Sequence, residues 1–228
     1  GQKTFISNGQ TANLIVVACK TDPAAGARGI SLLVVETEKA QGFRRGRKLD
    51  KIGLEGADTS ELFFDEVSVP ATNLLGGDEG RGFPQLMEKL AQERLLIAIQ
   101  ALGTIERALA ETRSYVKQRR ASGDPLLTFQ DTQFKLAECM TEARIAAVFV
   151  DHCIADCVAG RLDAATASMA KYWVTEAQGR IVDACLQLHG ANGYLLDYPI
   201  AHMYRDSRVQ RIYGGTNEIM KLLIARTI

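Results

Sequence analysis

The stretch LLGGDEGRG, residues 74–82, divides the sequence into two parts of different character. Its four glycines and three charged residues are typical of a linker. Before it, short apolar runs are separated by turn residues, and after it apolar residues recur with the helical period almost to the end of the chain. Because strands and helices follow one another without alternating, the pattern predicts an α+β protein with segregated domains, not a doubly wound sheet. We place the domains at residues 1–76 and 77–228.

The first part contains four candidate strands, which cover residues 3–7, 12–19, 29–36 and 61–69. Asn8-Gly9 predicts a tight hairpin between the first two strands, since this dipeptide readily takes the positive φ angles that such turns require. The basic run from Arg44 to Lys48 is interpreted as a solvated turn between strands, with an anion site as the alternative.

The second part contains helical patterns over residues 84–120, 128–160, 163–189, 200–211 and 216–225. Thr128 and Asp131 form a capping-box pattern, and Asp163 and Thr216 are candidate N-caps. Gly190 is expected to end the third helix. Three long helices and a shorter fourth predict an all-α, up-and-down four-helix bundle.

Composition excludes several classes of protein. The chain has 228 residues with 27 Lys+Arg and 27 Asp+Glu, so no bulk positive field favours nucleic acid. Its apolar runs are shorter than the roughly 20 residues of a membrane span. The first residues lack the apolar core of a signal peptide, so we do not expect secretion. The odd count of five cysteines is typical of reduced thiols in a reducing compartment.

Common cofactor and metal motifs are absent from the sequence. No dinucleotide-binding Gly-x-Gly-x-x-Gly pattern, phosphate loop or Gly-x-Ser-x-Gly elbow is present. Cys153 and Cys157 lie one helical turn apart beside His152, but no second pair of ligands follows. We therefore interpret both cysteines as core thiols and expect no metal site.

Glu93 interrupts an apolar helical stripe, because positions 86, 90 and 97 on the same face are Leu, Leu and Ile. A carboxylate on such a face is costly unless it is paired or protonated, and burial raises its pKa toward that of a useful base. The pattern alone favours a glutamate that is either salt-bridged or at the edge of the stripe, and it leaves a catalytic base as the alternative.

Three further segments are candidate anion or ligand sites. Arg119-Arg120 lies at a helix C-terminus, where cations complement the helix dipole and where a guanidinium also suits a phosphate. Residues 187–194 either form a simple C-cap and turn or allow close approach of a ligand to the backbone. Gly214-Gly215 before Thr216 leaves the N–H groups of a helix N-terminus free for an anion or oxyanion.

Four segments carry a pattern that spans the chain in order. They are GQKTFISNG at 1–9, KIGLEGADTSELFFDEVSVP at 51–70, QLHGANGY at 187–194 and RDSRVQRIYGGTNEI at 205–219. Together they resemble the acyl-CoA dehydrogenase family of FAD-dependent flavoenzymes, and most closely its long-chain branch. The resemblance implies a partial middle β-barrel domain over 1–76 and a C-terminal helical bundle over 77–228. The family's N-terminal helical domain and first barrel strands would precede this sequence.

The resemblance also implies which residues contact FAD. Phe5, Ile6 and Ser7 would lie beside the flavin ring. Arg119 and Gln130 would bind the pyrophosphate of a neighbouring subunit's cofactor. The remaining implied contacts are Gln187, Leu188, His189, Gly190 and Ala191 on the adenine side, and Thr216, Asn217 and Glu218 at the pyrophosphate.

The catalytic base follows from a departure from the family pattern. Most members carry a glutamate directly after the tyrosine of the Ile-Tyr-x-Gly-Thr motif, where this chain has Gly214. The long-chain and isovaleryl branches carry the base on the first bundle helix, at the position of Glu93. The resemblance thus implies Glu93 as base, the Gly214 N–H as thioester-oxygen donor, and substrate contacts at Leu90, Arg94 and Gly215.

The implied activity is FAD-dependent α,β-dehydrogenation of an acyl-CoA in fatty acid β-oxidation, with electrons passed to an electron-transferring flavoprotein. The implied assembly is a homotetramer or homodimer, in the bacterial cytoplasm or mitochondrial matrix. Two alternatives remain: a flavin oxidase or monooxygenase on the same scaffold, and a helical oligomerisation module that binds no flavin alone.

Overall fold

The computed structural model describes the whole chain, residues 1–228. The chain divides into two compact units, Gly1–Lys89 and Leu90–Ile228. The first unit carries the β-strands and the second consists almost entirely of helices. The predicted α+β class, a β domain followed by a helical bundle, is confirmed. The domain boundary between residues 76 and 77 stays a prediction.

Five strands form two sheets in the first unit. They are β1 (Gln2–Ser7), β2 (Leu14–Lys20), β3 (Ile30–Glu36), β4 (Phe43–Lys48) and β5 (Thr59–Phe64). One sheet has the order β1-β5-β4 and the other pairs β2 with β3, all antiparallel. The Lys3 ammonium donates to the carbonyl of Ala18 at 2.9 Å and so links β1 to β2.

Two predictions for this unit are wrong. Asn8 has a positive φ of 58°, yet β1 does not form a hairpin with β2. The backbone N–H of Asn8 donates to the carbonyl of Asp58 at 3.1 Å, because β1 pairs with β5. The basic run is strand β4 rather than a turn: the Arg44 guanidinium lies 4.2 Å from the centre of the Phe63 ring, and Arg45 donates to the carbonyl of Ala12.

The helices are α1 (Gly82–Gln118), α2 (Gln130–Val158), α3 (Ala164–His189), α4 (Pro199–Ser207) and α5 (Asn217–Ala225). In the second unit α3 is central and contacts α2, α4 and α5. Small side chains dominate its buried face, including Ala167, Ala170, Val174 and Ala177. Such residues let neighbouring helices approach closely and still exclude water.

The predicted helix ends are largely confirmed. The Asp163 carboxylate accepts from the N–H groups of Ala165 and Thr166, the Thr216 hydroxyl accepts from Ile219, and Gly190 has a φ of 58°. The capping box at Thr128 is wrong, because Phe129 is the N-cap of α2 and the Thr128 hydroxyl donates to the carbonyl of Pro125.

The five cysteines are free thiols, as the sequence predicts. Cys153 is buried, and His152 lies on the surface 3.3 Å from the carboxylate of Asp156. The structure contains no group of three or more His, Cys, Asp or Glu side chains that could hold a metal ion. None of its helices combines the length and the apolar character needed to cross a bilayer.

Candidate functional site

The glycine turn consists of Gly214, Gly215 and Thr216. It lies between the segment that follows α4 and the start of helix α5. Gly214 and Gly215 have φ angles of 64° and 88°, in the left-handed region that glycine adopts without strain. A Cβ on Gly214 would lie 2.4 Å from Ile97 Cδ1, and one on Gly215 would lie 2.8 Å from Met220 Cε. The backbone conformation therefore favours glycine at both positions, and a larger residue at either one would require the end of a flexible side chain, Ile97 or Met220, to move.

Glu93 lies beside the glycine turn. Its Oε1 is 4.0 Å from the position that a Cβ on Gly214 would occupy. A side chain at position 214 would thus begin within reach of the Glu93 carboxylate. The structure brings together these two predicted catalytic positions, which are 121 residues apart in the sequence.

Glu93 is exposed and forms no salt bridge, so the prediction of a salt-bridged glutamate is wrong, as is the predicted position of the apolar stripe. The buried face of α1 is rotated away from the predicted stripe, and of its four members only Ile97 is buried, with Leu86 40% exposed. The true buried stripe consists of Arg94, Ala98, Ala101, Ile105, Ala108 and Thr112. Periodicity predicted the helix correctly but placed Glu93 on its apolar face, whereas Glu93 lies on the exposed face.

Arg94, a predicted substrate contact, heads that buried stripe with 7% of its surface exposed. Its Nη1 lies 3.5 Å from the Ser168 hydroxyl, while its buried Nε has no hydrogen-bond partner. Burial lowers the pKa of the guanidinium, and the negative charge of Glu93 acts in the opposite direction. Leu90, the other predicted contact on α1, is half-buried.

Lys171 is a buried cation that the sequence reasoning missed. It is fully buried in α3, and its ammonium donates to the carbonyl of Gly215 and to Asn217 Oδ1, both at 2.8 Å. Burial lowers its pKa to about 8. The signal was available, since Lys171 lies four residues after Ala167 and three before Val174, both buried.

The three residues at the start of α5 differ in what they offer a ligand. Asn217 is buried, and its amide donates to Glu176 Oε1 at 2.9 Å and to the Thr175 hydroxyl at 3.1 Å. Glu218 is exposed, and hydrogen bonds from its own N–H and from Thr216 lower the pKa of its carboxyl group. The side chain of Asn217 thus points inward, which leaves backbone N–H groups and Thr216 for an anion.

A second candidate site is a cavity of about 510 Å³, here called the Arg119 cavity. The predicted residues that line it are Arg119, Gln187, Leu188, His189, Gly190 and Ala191. Gln130 is exposed at the start of α2 and does not line this cavity, whereas its neighbours Asp131 and Thr132 do. The structure therefore brings the two sequence-distant segments together without Gln130.

Tyr115 and Asn192 organise the Arg119 cavity and were not identified from the sequence. The Tyr115 ring stacks on the buried His189 ring with centres 4.2 Å apart. Its hydroxyl donates to the carbonyl of His189 at 3.1 Å and accepts from Asn192 Nδ2 at 3.0 Å. His189 Nδ1 in turn donates to the carbonyl of Cys185 at 2.8 Å. The turn after α3 is thus held by a hydrogen-bonded aromatic pair.

Two family models match the chain. The C-terminal domain of acyl-CoA dehydrogenase matches residues 80–228, and the middle domain of acyl-CoA dehydrogenase matches residues 1–67. The chain belongs to the acyl-CoA dehydrogenase family. Members of this family are FAD-dependent flavoenzymes that act on CH–CH bonds.

Individual relatives agree with the family assignment. The long-chain specific acyl-CoA dehydrogenase of Mus musculus mitochondria is 50% identical over 100% of this chain and 53% of its own length. A crystal structure of an acyl-CoA dehydrogenase from Geobacillus kaustophilus is 54% identical with a TM-score of 0.96, covering 100% of this chain and 60% of that chain. The chain thus spans about half the length of the mouse relative.

A chain in a structure described as the electron transferring flavoprotein of Acidaminococcus fermentans is 36% identical. Its TM-score is 0.94, and the match covers 100% of this chain and 59% of that one. The fold of this chain is therefore shared with a chain of that structure.

The residues present fit the family's cofactor, and the predicted FAD contacts fall into separate groups. Asn217 bonds to Thr175, which precedes Gln187 by 12 residues in α3. At 1.5 Å per residue, the glycine turn and the Arg119 cavity are separated by about 18 Å along that helix. Each group offers N–H donors or a cation suited to phosphate oxygens.

The third group of predicted FAD contacts lies on β1 in the first unit. Phe5 is 77% exposed and has a φ of 61°, at a point where the pairing of β1 with β5 shifts register. Ile6 is half-buried and Ser7 is exposed. A left-handed backbone at a non-glycine residue is costly, so the bulge presents Phe5 to solvent at the expense of local strain.

Proposed function

We propose that the protein containing this chain is an FAD-dependent acyl-CoA dehydrogenase that converts an acyl-CoA thioester to the trans-2-enoyl-CoA. The observation that carries this proposal is the placement of Glu93 Oε1 4.0 Å from the Cβ position of Gly214. A carboxylate is thereby supplied from α1 to the place where a side chain at position 214 would begin. Glu93 is the proposed base.

Proton removal is the first task of this site. Glu93 takes the α-proton of the acyl group as a carboxylate and becomes a carboxylic acid. Arg94 follows Glu93 in α1, and its buried guanidinium keeps positive charge beside the reacting region. The β-hydrogen would leave as hydride, and FAD bound by the residues named below would supply the acceptor for it.

Polarisation of the thioester is the second task, because an α-proton is otherwise too weakly acidic. The N–H of Gly214 has no acceptor among the hydrogen bonds of the structure. It can therefore donate to the thioester oxygen as negative charge develops there. Loss of one such donor typically costs about 3 kcal/mol of transition-state stabilisation. Leu90 and Gly215 are the further proposed substrate contacts.

The FAD-binding residues are proposed in three groups. Arg119 and the segment from Gln187 to Ala191 share the Arg119 cavity, Thr216 to Glu218 form the start of α5, and Phe5 to Ser7 lie on β1. Gln130 is proposed as an additional contact at the start of α2. The separation of about 18 Å within one chain supports cofactor sites completed by a second subunit, as in a homodimer or homotetramer.

Electron-transferring flavoprotein is the proposed electron acceptor, and the likeness to the Acidaminococcus fermentans chain supports it. Mitochondrial and bacterial relatives support a mitochondrial matrix or bacterial cytoplasmic location. Rapid peroxide formation by the reduced protein in air, without need of that acceptor, would instead indicate an oxidase.

The test is Glu93→Gln in the full-length holoenzyme, followed by anaerobic mixing with an acyl-CoA. We expect acyl-CoA binding to persist and bleaching of the flavin absorbance to be abolished, because the amide cannot accept the α-proton. Glu106→Gln is the matched control, since Glu106 is also an exposed glutamate on α1. Near-normal bleaching by the Glu93 variant would overturn the assignment of the base.

A further inference from the structure

We propose that Lys171 is a positioning residue that holds the glycine turn so that the N–H of Gly214 faces the substrate beside Glu93. The inference rests on the proposed function, because it concerns the donor that polarises the thioester. Lys171 itself contacts neither substrate nor cofactor in this proposal. It acts through the carbonyl of Gly215.

The contacts of Lys171 run directly to the turn. Its ammonium donates to the carbonyl of Gly215 and to Asn217 Oδ1 at 2.8 Å each, one on either side of Thr216. Asn217 is oriented in turn by the Thr175 hydroxyl and by Glu176. One buried cation thus binds the chain immediately before and immediately after the N-cap of α5.

Two consecutive glycines have little conformational preference of their own, so contacts at the ends of the turn decide its shape. On the upstream side the N–H of Tyr213 donates to the carbonyl of Val209 at 3.0 Å. On the downstream side Lys171 supplies the corresponding anchor at Gly215. Removing this anchor leaves Gly214 fixed at one end only, and its N–H is then free to rotate.

The charges around Lys171 support a role in holding the glycine turn rather than a role in stability. It forms no salt bridge and is bonded to neutral oxygens. Burial lowers its pKa, the carboxylates of Glu218 and Glu176 act to raise it, and the buried cation Arg94 acts to lower it further. An apolar residue at such a position is often as stable as a buried charge or more so. An ammonium offers what an apolar side chain lacks, namely donors aimed at the turn.

The experiment compares Lys171→Met with the wild type in the full-length holoenzyme. The probe is a trans-2-enoyl-CoA labelled with ¹³C at the thioester carbonyl, whose infrared stretching frequency falls when the oxygen accepts a hydrogen bond. We expect the wild type to lower this frequency on binding, and Lys171→Met to lower it less. Hydrogen exchange of residues 212–218 should also be faster in the variant.

The kinetic expectation is a fall in kcat of about 100-fold with little change in KM, because a small misplacement of a donor affects the transition state most. Lys117→Met is the matched control, since Lys117 is an exposed lysine on α1 outside both candidate sites. It should leave the carbonyl frequency, kcat and hydrogen exchange unchanged.

Each outcome separates this inference from the proposed function. A wild type that does not shift the carbonyl frequency would contradict the Gly214 donor itself and the Lys171 proposal with it. A wild-type shift that Lys171→Met preserves, together with wild-type kcat, would overturn the role of Lys171 alone. Should Lys171→Met fail to fold, Lys171→Leu, which also lacks a donor, replaces it in the same measurements, and an unchanged carbonyl shift in Lys171→Leu would again overturn the proposal.

Discussion

The glycine turn and the Arg119 cavity are both candidate binding regions in the helical unit, but they are built in opposite ways. The turn is held from inside by a buried cation, and its free groups are backbone N–H donors. The cavity is held by the stacked rings of Tyr115 and His189. Its charged lining consists of Arg119, Arg120 and the ion pair of Lys135 with Asp131, and the exposed Arg119 forms no salt bridge.

This difference assigns different tasks to the two regions. A donor fixed by buried partners is preorganised and costs little rearrangement when charge develops, which suits catalysis. An exposed guanidinium at a cavity rim retains rotamer freedom until a ligand arrives, which suits binding of a phosphate. We therefore expect changes at the turn to affect rate, and changes at the cavity to affect cofactor affinity.

Among the variants that compare the glycine turn with the Arg119 cavity, Gly214→Ala should have the largest effect. A Cβ there meets Ile97 Cδ1 at 2.4 Å, and the φ of 64° is strained for alanine by about 1–2 kcal/mol. We expect flavin reduction by acyl-CoA to slow at least about 100-fold in the full-length holoenzyme. Stopped-flow absorbance at saturating acyl-CoA measures this rate.

Two further variants show how the effect of Gly214→Ala arises. Ile97→Val removes the Cδ1 atom and should recover part of the lost stability in the double variant, because only the backbone strain remains. Gly103→Ala on α1 is the control, since a Cβ there meets nothing within 4 Å. A Gly214→Ala protein with wild-type rate would show that the turn tolerates movement and is not preorganised.

Arg119→Met should act on affinity instead. A hydrogen bond to a charged group is worth about 1.5–3 kcal/mol, so we expect FAD to bind at least about tenfold more weakly. Flavin reduction measured at saturating FAD should stay near the wild-type rate. Arg113→Met changes an exposed arginine on α1 that lies outside the cavity, and it should leave the FAD dissociation constant unchanged. An unaltered constant for Arg119→Met would remove the cavity from the cofactor site.

Much of the fold was predictable because it depends on local chemistry. The caps at Asp163, Gly190 and Thr216 were predicted correctly, since each satisfies backbone groups within its own few residues. Strand β4 was not predicted, because a run of basic residues is also typical of a solvated turn. The pairing of the β4 arginines with Phe63 and Ala12 depends on strands far away in sequence.

The site was less predictable because it depends on contacts between residues that are far apart in the sequence. The position of Glu93 beside Gly214 depends on how α1 packs in the second unit. The buried face of α1 contains Arg94 rather than Glu93, so the predicted stripe was rotated relative to the observed one. Lys171 lay on a recognisable apolar stripe, yet its partners at Gly215 and Asn217 come from the end of the chain. Periodicity identifies an anomalous residue, and only the tertiary structure shows what it contacts.

Lys171 should also make stability depend on pH in a particular direction. Burial lowers its pKa from 10.5 to about 8, so between these values the unfolded chain binds a proton that the folded chain has lost. The free energy of unfolding should therefore rise with pH across this window, relative to Lys171→Met, which does not titrate. The slope is at most about 1.4 kcal/mol per pH unit.

Urea unfolding of both proteins at several pH values from 7.5 to about 10 measures this difference. Taking the difference between the two proteins removes the contribution of other titrating groups that they share. A difference that stays constant with pH would mean that the folded state keeps Lys171 protonated throughout. The turn would then be anchored by a permanent charge.

Tyr115→Phe should have the smallest effect and tests how rigid the cavity is. It removes the hydroxyl that donates to the carbonyl of His189 and accepts from Asn192, but keeps the ring stacked on His189. We expect a loss of about 1 kcal/mol in the free energy of unfolding. Tyr204→Phe, at an exposed position on α4, should change stability by less than about 0.5 kcal/mol.

For Tyr115→Phe, both the affinity for FAD and the free energy of unfolding should be measured, because their comparison tests whether the cavity is rigid. If the stacked rings alone hold the turn after α3, FAD affinity should change by less than about threefold while stability falls by the value of one hydrogen bond. A loss of affinity as large as that of Arg119→Met would show that the cavity depends on a fixed hydrogen-bond network. The cavity would then be preorganised as the glycine turn is, and the contrast between the two regions would disappear.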